Sequence, residues 1–242
     1  MSQPEPENGK SPYYDLAKKY NLKIDFRSFI HVKSIHAKEF RKTRINISEY
    51  TAVIFTSRVA IVHFFRICDE MRVVISDSMK YFCTSESTAY YLQKYIIYRK
   101  RKVFFGKHRL IDLMDVINKH KDEKYFVPVS DTHKKDISKV LDNNKIKYTK
   151  AILYRTVCSD LSDLSNINYD VLVFYSPSGI KSLFENFPDF KQNNTKIASF
   201  GPTTIKAAKD AGLKLDIEAP GPDAPSMTMA LEQYIENYNK KN

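Results

Sequence analysis

The sequence predicts an α/β protein of two similar lobes, each a parallel sheet flanked by helices, the two joined by a two-stranded β connector. Three observations predict it. Short apolar runs alternate with segments of helical spacing, and the second half of the chain repeats the order of the first. Two long segments, 22–32 and 145–157, are rich in β-branched and aromatic residues and each separates a helix from the strand opening the next unit. The 242 residues, 43% hydrophobic and 28% charged, suffice for two cores.

In chain order, the first helix is expected near Tyr13 to Tyr20, and the extended segment 22–32 follows it. "AVIFTSRVAIVHFF" at 52–65 is an apolar run that stops at Thr56 and Ser57 and resumes with helical spacing. "KYFCTSESTAYYLQKY" from Lys80 repeats the scheme, and "VFFGKHRLIDLMDVI" from Val103 adds a strand, a loop and a closing helix. The second copy opens with the strand "YFVPV" at 125–129, then a helix from about His133 to Asn143, then the segment 145–157. "VLVFYSPSGIKSLF" at 171–184 and "KIASFGPTTIKAAKDAG" from Lys196 match the two earlier strand–hydroxyl–helix units. Ser176 lies 119 residues after Ser57, and Lys196 lies 116 after Lys80. "LDIEAPGPDAPSMTMALEQYI" closes the copy with a rigid loop and a helix starting near Pro225 or Ser226. The first copy has no counterpart of "YFVPV"; "MSQPEPENGK" reads as the loop after such a strand, so either the chain once started earlier or this sheet is one strand short. The expected division is 1–31 with 158–242 as a discontinuous first lobe and 32–157 as the inserted second, with crossings near 22–35 and 147–158 that could hinge.

Composition excludes several classes. No apolar run approaches bilayer length and no signal core opens the chain, so a cytoplasmic protein with no membrane partner is expected. Cys68, Cys83 and Cys158 are odd in number and outside any CxxC pair, which argues against a disulfide framework or a metal site and for small buried hydrophobes. The six histidines show no ligand pair. A net charge of +11 favours a polyanionic partner. Its densest cluster, Arg99 to Lys102, reads first as a solvated strand lead-in, and neither an RNA aromatic signature nor a recognition helix is evident, so no nucleic-acid partner is expected.

Ligands of parallel sheets sit outside the carboxyl ends of the strands, where the hydroxyl clusters of this chain fall. Thr56, Ser57, Thr84, Ser85, Ser87, Ser176, Ser178, Thr203 and Thr204 occupy equivalent ends in both copies. Each alone is an ordinary helix N-cap; together they make a shared anion-binding rim. Gly201 and Pro202 permit a tight turn and a Pro-initiated helix, and Gly179 beside Ser178 permits close backbone approach.

"FTS" at 55–57, "FYSPSG" at 174–179, "SFGPTT" at 199–204 and "EAPGPDAPSMTMAL" at 218–231 resemble the uroporphyrinogen-III synthase family, and the resemblance runs from about residue 11 to the C-terminus. It implies two α/β lobes with the active site in the cleft between them. It also implies a cofactor-free lyase of haem biosynthesis that cyclises hydroxymethylbilane, a linear tetrapyrrole with eight carboxylates, to uroporphyrinogen III with inversion of ring D and loss of water. The substrate closes unaided to the uninverted isomer, so such an enzyme must mainly hold the chain in a spiro geometry, and intramolecular positioning can supply roughly 7–11 kcal/mol.

Carried onto this chain, the resemblance makes Tyr154 the catalytic candidate, because it matches the tyrosine that the family carries on the crossing strand. A phenol is a proton donor at neutral pH and would assist departure of the hydroxyl to form an azafulvene; the alternative is a half-buried strand tyrosine. The substrate-binding set expected is the hydroxyl rim above with Pro177, Gly179, Gly201 and Ser130, and Lys134 and Ser226 as outlying contacts. The chain departs from the family at "YFCTSEST", where Glu86 adds negative charge and Ser87 stands for a threonine, and at "VPVSDTHKK". A monomer is expected. The alternative functions are a non-catalytic two-lobed binder of an anionic tetrapyrrole or other polyanion, which would bind without accelerating closure, and a nucleic-acid-binding module.

Overall fold

The computed structural model describes residues 1–6, 9–132 and 136–240. The chain forms two compact units, Met1–His31 with Val157–Asn242, and Val32–Thr156.

In the unit Val32–Thr156, strands β2 (Ala52–Phe55), β3 (Lys80–Cys83), β4 (Val103–Phe105), β5 (Tyr125–Ser130) and β6 (Tyr148–Cys158) lie in the order β6-β5-β2-β3-β4, with β1 (Ile30–Ser34) bonded to β6. The pairs β2–β3, β2–β5, β3–β4 and β5–β6 are all parallel. Side chains alternate along a strand, so Val53 and Phe55 face one side and Ala52 and Ile54 the other. All four are fully buried. Helix α3 (Arg58–Glu70) covers the first side through Ala60, Phe64 and Ile67, joined by Phe40 of α2 (Ala37–Phe40) and Ala89 of α4 (Glu86–Tyr91). Helices α5 (Met114–Asn118) and α6 (Asp136–Asn143) cover the second through Met114, Ile117, Ile137 and Leu141. Burial on both sides is why these strands are continuous apolar runs rather than alternating ones.

The other unit repeats the plan with three strands, β7 (Val171–Phe174), β8 (Lys196–Phe200) and β9 (Leu215–Ala219), all parallel in that order. Val173, Ala198 and Ile217 pack on α1 (Pro12–Tyr20) and α9 (Met227–Asn239). Leu172, Phe174 and Ile197 pack on α7 (Pro177–Asn186) and α8 (Pro202–Asp210). No strand precedes Ser11 among the described residues, although the Ser2 N–H donates to the Val173 carbonyl at 2.9 Å.

Two local expectations need correction, and a third falls partly outside the described residues. Of the extended segment 22–32, only Ile30 onward pairs as a strand. Leu22, Ile24 and Phe26 alternate as a strand would and spend that face on the core under α1 and α9, while the backbone beside Phe26 bonds Met1: the Asp25 carbonyl accepts from the Met1 amine at 2.8 Å and the Arg27 N–H donates to the Met1 carbonyl at 2.9 Å. The helix expected from about His133 is described from Asp136, and 133–135, including Lys134, lie outside the described residues. Cys68 and Cys83 are buried, but Cys158 is half-buried. The basic run forms a turn, closed by the Lys102 N–H on the Arg99 carbonyl at 2.8 Å, that leads into the edge strand β4. No helix among the described residues is long and apolar enough to cross a membrane.

Candidate active site

Parallel pairing brings the carboxyl ends of β2, β3 and β5 to one edge of the sheet. After β2, Thr56 and Ser57 are half-buried. Ser57 has extended backbone and caps α3, its Oγ accepting from the Ala60 N–H at 3.1 Å. A serine cap satisfies one of the first-turn donors, leaving the Arg58 and Val59 N–H groups without a helical partner. The exposed Arg58 guanidinium lies 5.7 Å from the centre of the Tyr91 ring, with no ion pair among the described residues. The start of α3 thus carries an added positive charge, and no acidic residue on the helix opposes it before Asp69.

After β3 the hydroxyls turn inward. Thr84 is buried and its Oγ1 donates to the Thr56 carbonyl at 3.3 Å. Ser85, also buried, caps the Thr88 N–H at 3.3 Å and meets the Ser87 hydroxyl at 3.2 Å. Only Ser87 and Glu86 are exposed there. Ser130 ends β5 half-buried beside a register shift, paired with Tyr154 of β6. Asp131 fixes this corner: its Oδ1 accepts from the Thr132 N–H at 2.9 Å and the Thr156 N–H at 3.1 Å.

Tyr154 is 9% exposed, and its phenol oxygen lies 3.4 Å from Ser57 Oγ. Its ring stacks on the His63 imidazole at 4.9 Å and 19°. His63 in turn sits 3.3 Å from Ser34 Oγ through Nδ1. Burial first, then the charge of Arg66, holds His63 below the usual histidine range, so the imidazole under the phenol is neutral at physiological pH. The structure thus joins Ser57 and Tyr154, 97 residues apart in sequence, and adds two residues the sequence reading passed over. Arg58 was legible as the residue following "TS"; His63, inside an apolar helix run, carried no signal.

In the other unit, Ser176 caps α7 by accepting from the Gly179 N–H at 3.2 Å. Pro177 has no N–H, so Ser178 supplies the remaining first-turn donor. Close approach does not explain Gly179: an added Cβ would lie at an ordinary 3.5 Å from Ser2 Oγ, and its N–H is already taken. At α8 the cap is Gly201, with φ +89° and no side-chain bond. Pro202 and the bonding of the Thr204 N–H to the Gly201 carbonyl leave one free donor, the Thr203 N–H. Thr203 is exposed, whereas Thr204 is 1% exposed and offers no surface to a ligand. Ser226 caps α9 through the Met229 N–H at 3.2 Å. Among the described residues no group of three or more His, Cys, Asp or Glu is placed to hold a metal.

Residues 12–229 match the family model described as "Uroporphyrinogen-III synthase HemD". The chain is 29% identical over 114 residues to the uroporphyrinogen-III synthase of Saccharomyces cerevisiae, a match spanning 40% of this chain and 41% of the yeast protein. Its fold is similar to that of uroporphyrinogen-III synthetase from Helicobacter pylori, with a TM-score of 0.58 at 16% identity over 90% of this chain and 96% of that one. A mutant uroporphyrinogen III synthase from Thermus thermophilus gives a TM-score of 0.54 at 13% identity, over 93% and 94% of the two chains.

Proposed function

The chain belongs to the uroporphyrinogen-III synthase family, and on that premise we propose that it cyclises hydroxymethylbilane to uroporphyrinogen III, inverting ring D and releasing water. The match over residues 12–229 carries this reading. The strand-end chemistry supports it. The Arg58 and Val59 N–H groups with the Arg58 guanidinium, and the single donors at Ser178 and Thr203, suit carboxylates of a flexible polyanion. Each such anion gains about 0.3–1 kcal/mol at an exposed helix terminus, so many weak contacts position the chain without trapping it. Thr56, Ser57, Ser87, Ser130, Ser176 and Ser178 add neutral donors, and the buried Thr84, Ser85 and Thr204 shape the turns beneath.

Tyr154 donates its phenolic proton toward the departing hydroxyl. The C–O bond breaks as the pyrrole nitrogen lone pair moves in and the nitrogen sheds its proton to the phenolate, leaving water and an azafulvene. The substituted α-carbon of ring D attacks it to form the spiro centre, whose bond to the methylene of the preceding ring breaks and re-forms at the other α-carbon of ring D with loss of a proton. Ser57 Oγ and the stacked His63 hold the phenol in place for this.

The test is freshly prepared hydroxymethylbilane with and without the protein, reading the isomer ratio of the product. An excess of the inverted isomer is expected. Tight binding with only the uninverted isomer formed would overturn the reading and make the chain a tetrapyrrole binder.

A further inference from the structure

The basic run Arg99 to Lys102, unused by the proposed function, borders a cavity of about 400 Å³ in the unit Val32–Thr156. The cavity lies at the amino ends of β3 and β4, where Met79, Tyr81 and Val103 line it, the opposite edge of the sheet from Ser57 and Thr84. The second half of α3 supplies another wall through Phe65 and Cys68.

The lining combines a flat aromatic wall with polar and charged side chains. Phe65 and Tyr95 stack at 4.5 Å and 9°, and Tyr81 leans on Phe65 at 6.5 Å. Burial pushes the Cys68 thiol up to about 12, so it presents a neutral apolar surface and no nucleophile. At the mouth, Ile97 is 81% exposed and Tyr95 38%. Arg99 and Lys102 leave one turn, both line the cavity, and neither has an acidic partner among the described residues. Asp69 and Asp77 line the same space, so the two positive charges are offset locally.

We propose that this cavity binds a small free molecule with a flat apolar body and a single anionic head, the body against Tyr95 and Ile97 and the head at Arg99 and Lys102. The volume falls in the range of about 300–1,000 Å³ typical of ligand pockets. A flat body would cover aromatic and aliphatic surface now in water. The two aspartates select against polyanions, so an octacarboxylate is a poor occupant and a monoanion a good one. The assignment does not depend on the proposed reaction, because it uses none of the same residues.

Anilinonaphthalene sulfonate, an aromatic monoanion, is the probe, titrated by fluorescence against the full chain and displaced with octanoate. Saturable one-site binding is expected. The double substitution Arg99→Ala/Lys102→Ala should weaken it about ten-fold or more, as loss of charge-assisted bonds would. Lys100→Ala/Arg101→Ala removes the same charge from the same turn but not from the cavity wall, and should leave affinity unchanged. Asp77→Asn should tighten it. The proposal fails if binding does not saturate, if both double substitutions weaken it equally, or if Arg99→Ala/Lys102→Ala binds as the wild type does.

Discussion

Tyr154→Phe separates folding from chemistry, because the structure assigns the hydroxyl little of the fold. Among the described residues the phenol oxygen has one hydrogen-bond partner, Ser57 Oγ at 3.4 Å, and Ser57 Oγ keeps its cap bond from the Ala60 N–H at 3.1 Å without it. The ring stack on His63 at 4.9 Å survives in phenylalanine. A hydrogen bond of normal length contributes about 0.5–1.5 kcal/mol net, so one at the limit of range costs about 0.5 kcal/mol. At roughly 2–4 °C per kcal/mol for a chain of this size, Tm should fall by about 1–2 °C. If the phenol is the proton donor, the rate of inverted-isomer formation should fall about 10²–10⁴-fold. That corresponds to about 3–5 kcal/mol at the transition state, several times the folding cost. Product is resolved by isomer at early times, and Tm by calorimetry. A Tyr154→Phe protein forming uroporphyrinogen III at the wild-type rate would refute the donor role.

Ser57→Ala and Ser176→Ala each delete a helix cap and should cost about 1 kcal/mol of stability, read by denaturant unfolding. Only Ser57 also touches Tyr154, so its variant should lose about ten-fold more turnover. Gly201→Ala forces a Cβ onto φ +89°; nothing lies within 4 Å of that Cβ, so the cost is backbone strain of about 1–3 kcal/mol, and Tm should fall roughly 2–12 °C. His63 is held below its usual range in the folded chain, so the unfolded chain takes up a proton the folded one does not. Stability should therefore be lost as pH falls below about 6.5, and His63→Phe should flatten that loss in thermal melts taken at about pH 7.5 and about pH 5.

Most of the architecture was legible because each layer left its own period. Val53 to Phe55 and Leu172 to Phe174 are continuous apolar runs because helices bury both sheet faces, and the serines that stop them are caps in the structure. The segment 22–28 misled because alternation reports a buried face, not membership of a named strand: Leu22, Ile24 and Phe26 pack on the core, and the backbone at Asp25 and Arg27 bonds the single residue Met1. At the strand ends, residue type alone could not separate an exposed hydroxyl from an inward one. Thr203 and Thr204 are neighbours with the same side chain, yet one is exposed and the other 1% exposed, because the first turn of a helix presents adjacent positions about 100° apart. His63 was invisible for a related reason. Its role depends on Tyr154, 91 residues away, and no local pattern encodes that contact.

Capping and ligand binding are commonly set against each other as readings of a serine at a helix start, and these helices show why they coexist. The cap side chain takes a single donor, so what remains for an anion is decided by the next two residues. At α3 those residues are Arg58 and Val59, which leave two N–H groups and add a guanidinium. At α7 and α8 they begin with Pro177 and Pro202, which leave one N–H each. The duplicated halves therefore share a serine cap at α3 and α7 but leave unequal sets of donors beyond it. On the proposed function, the two donors at α3 beside Tyr154 suit a reaction in which one end of a long polyanion is fixed for chemistry.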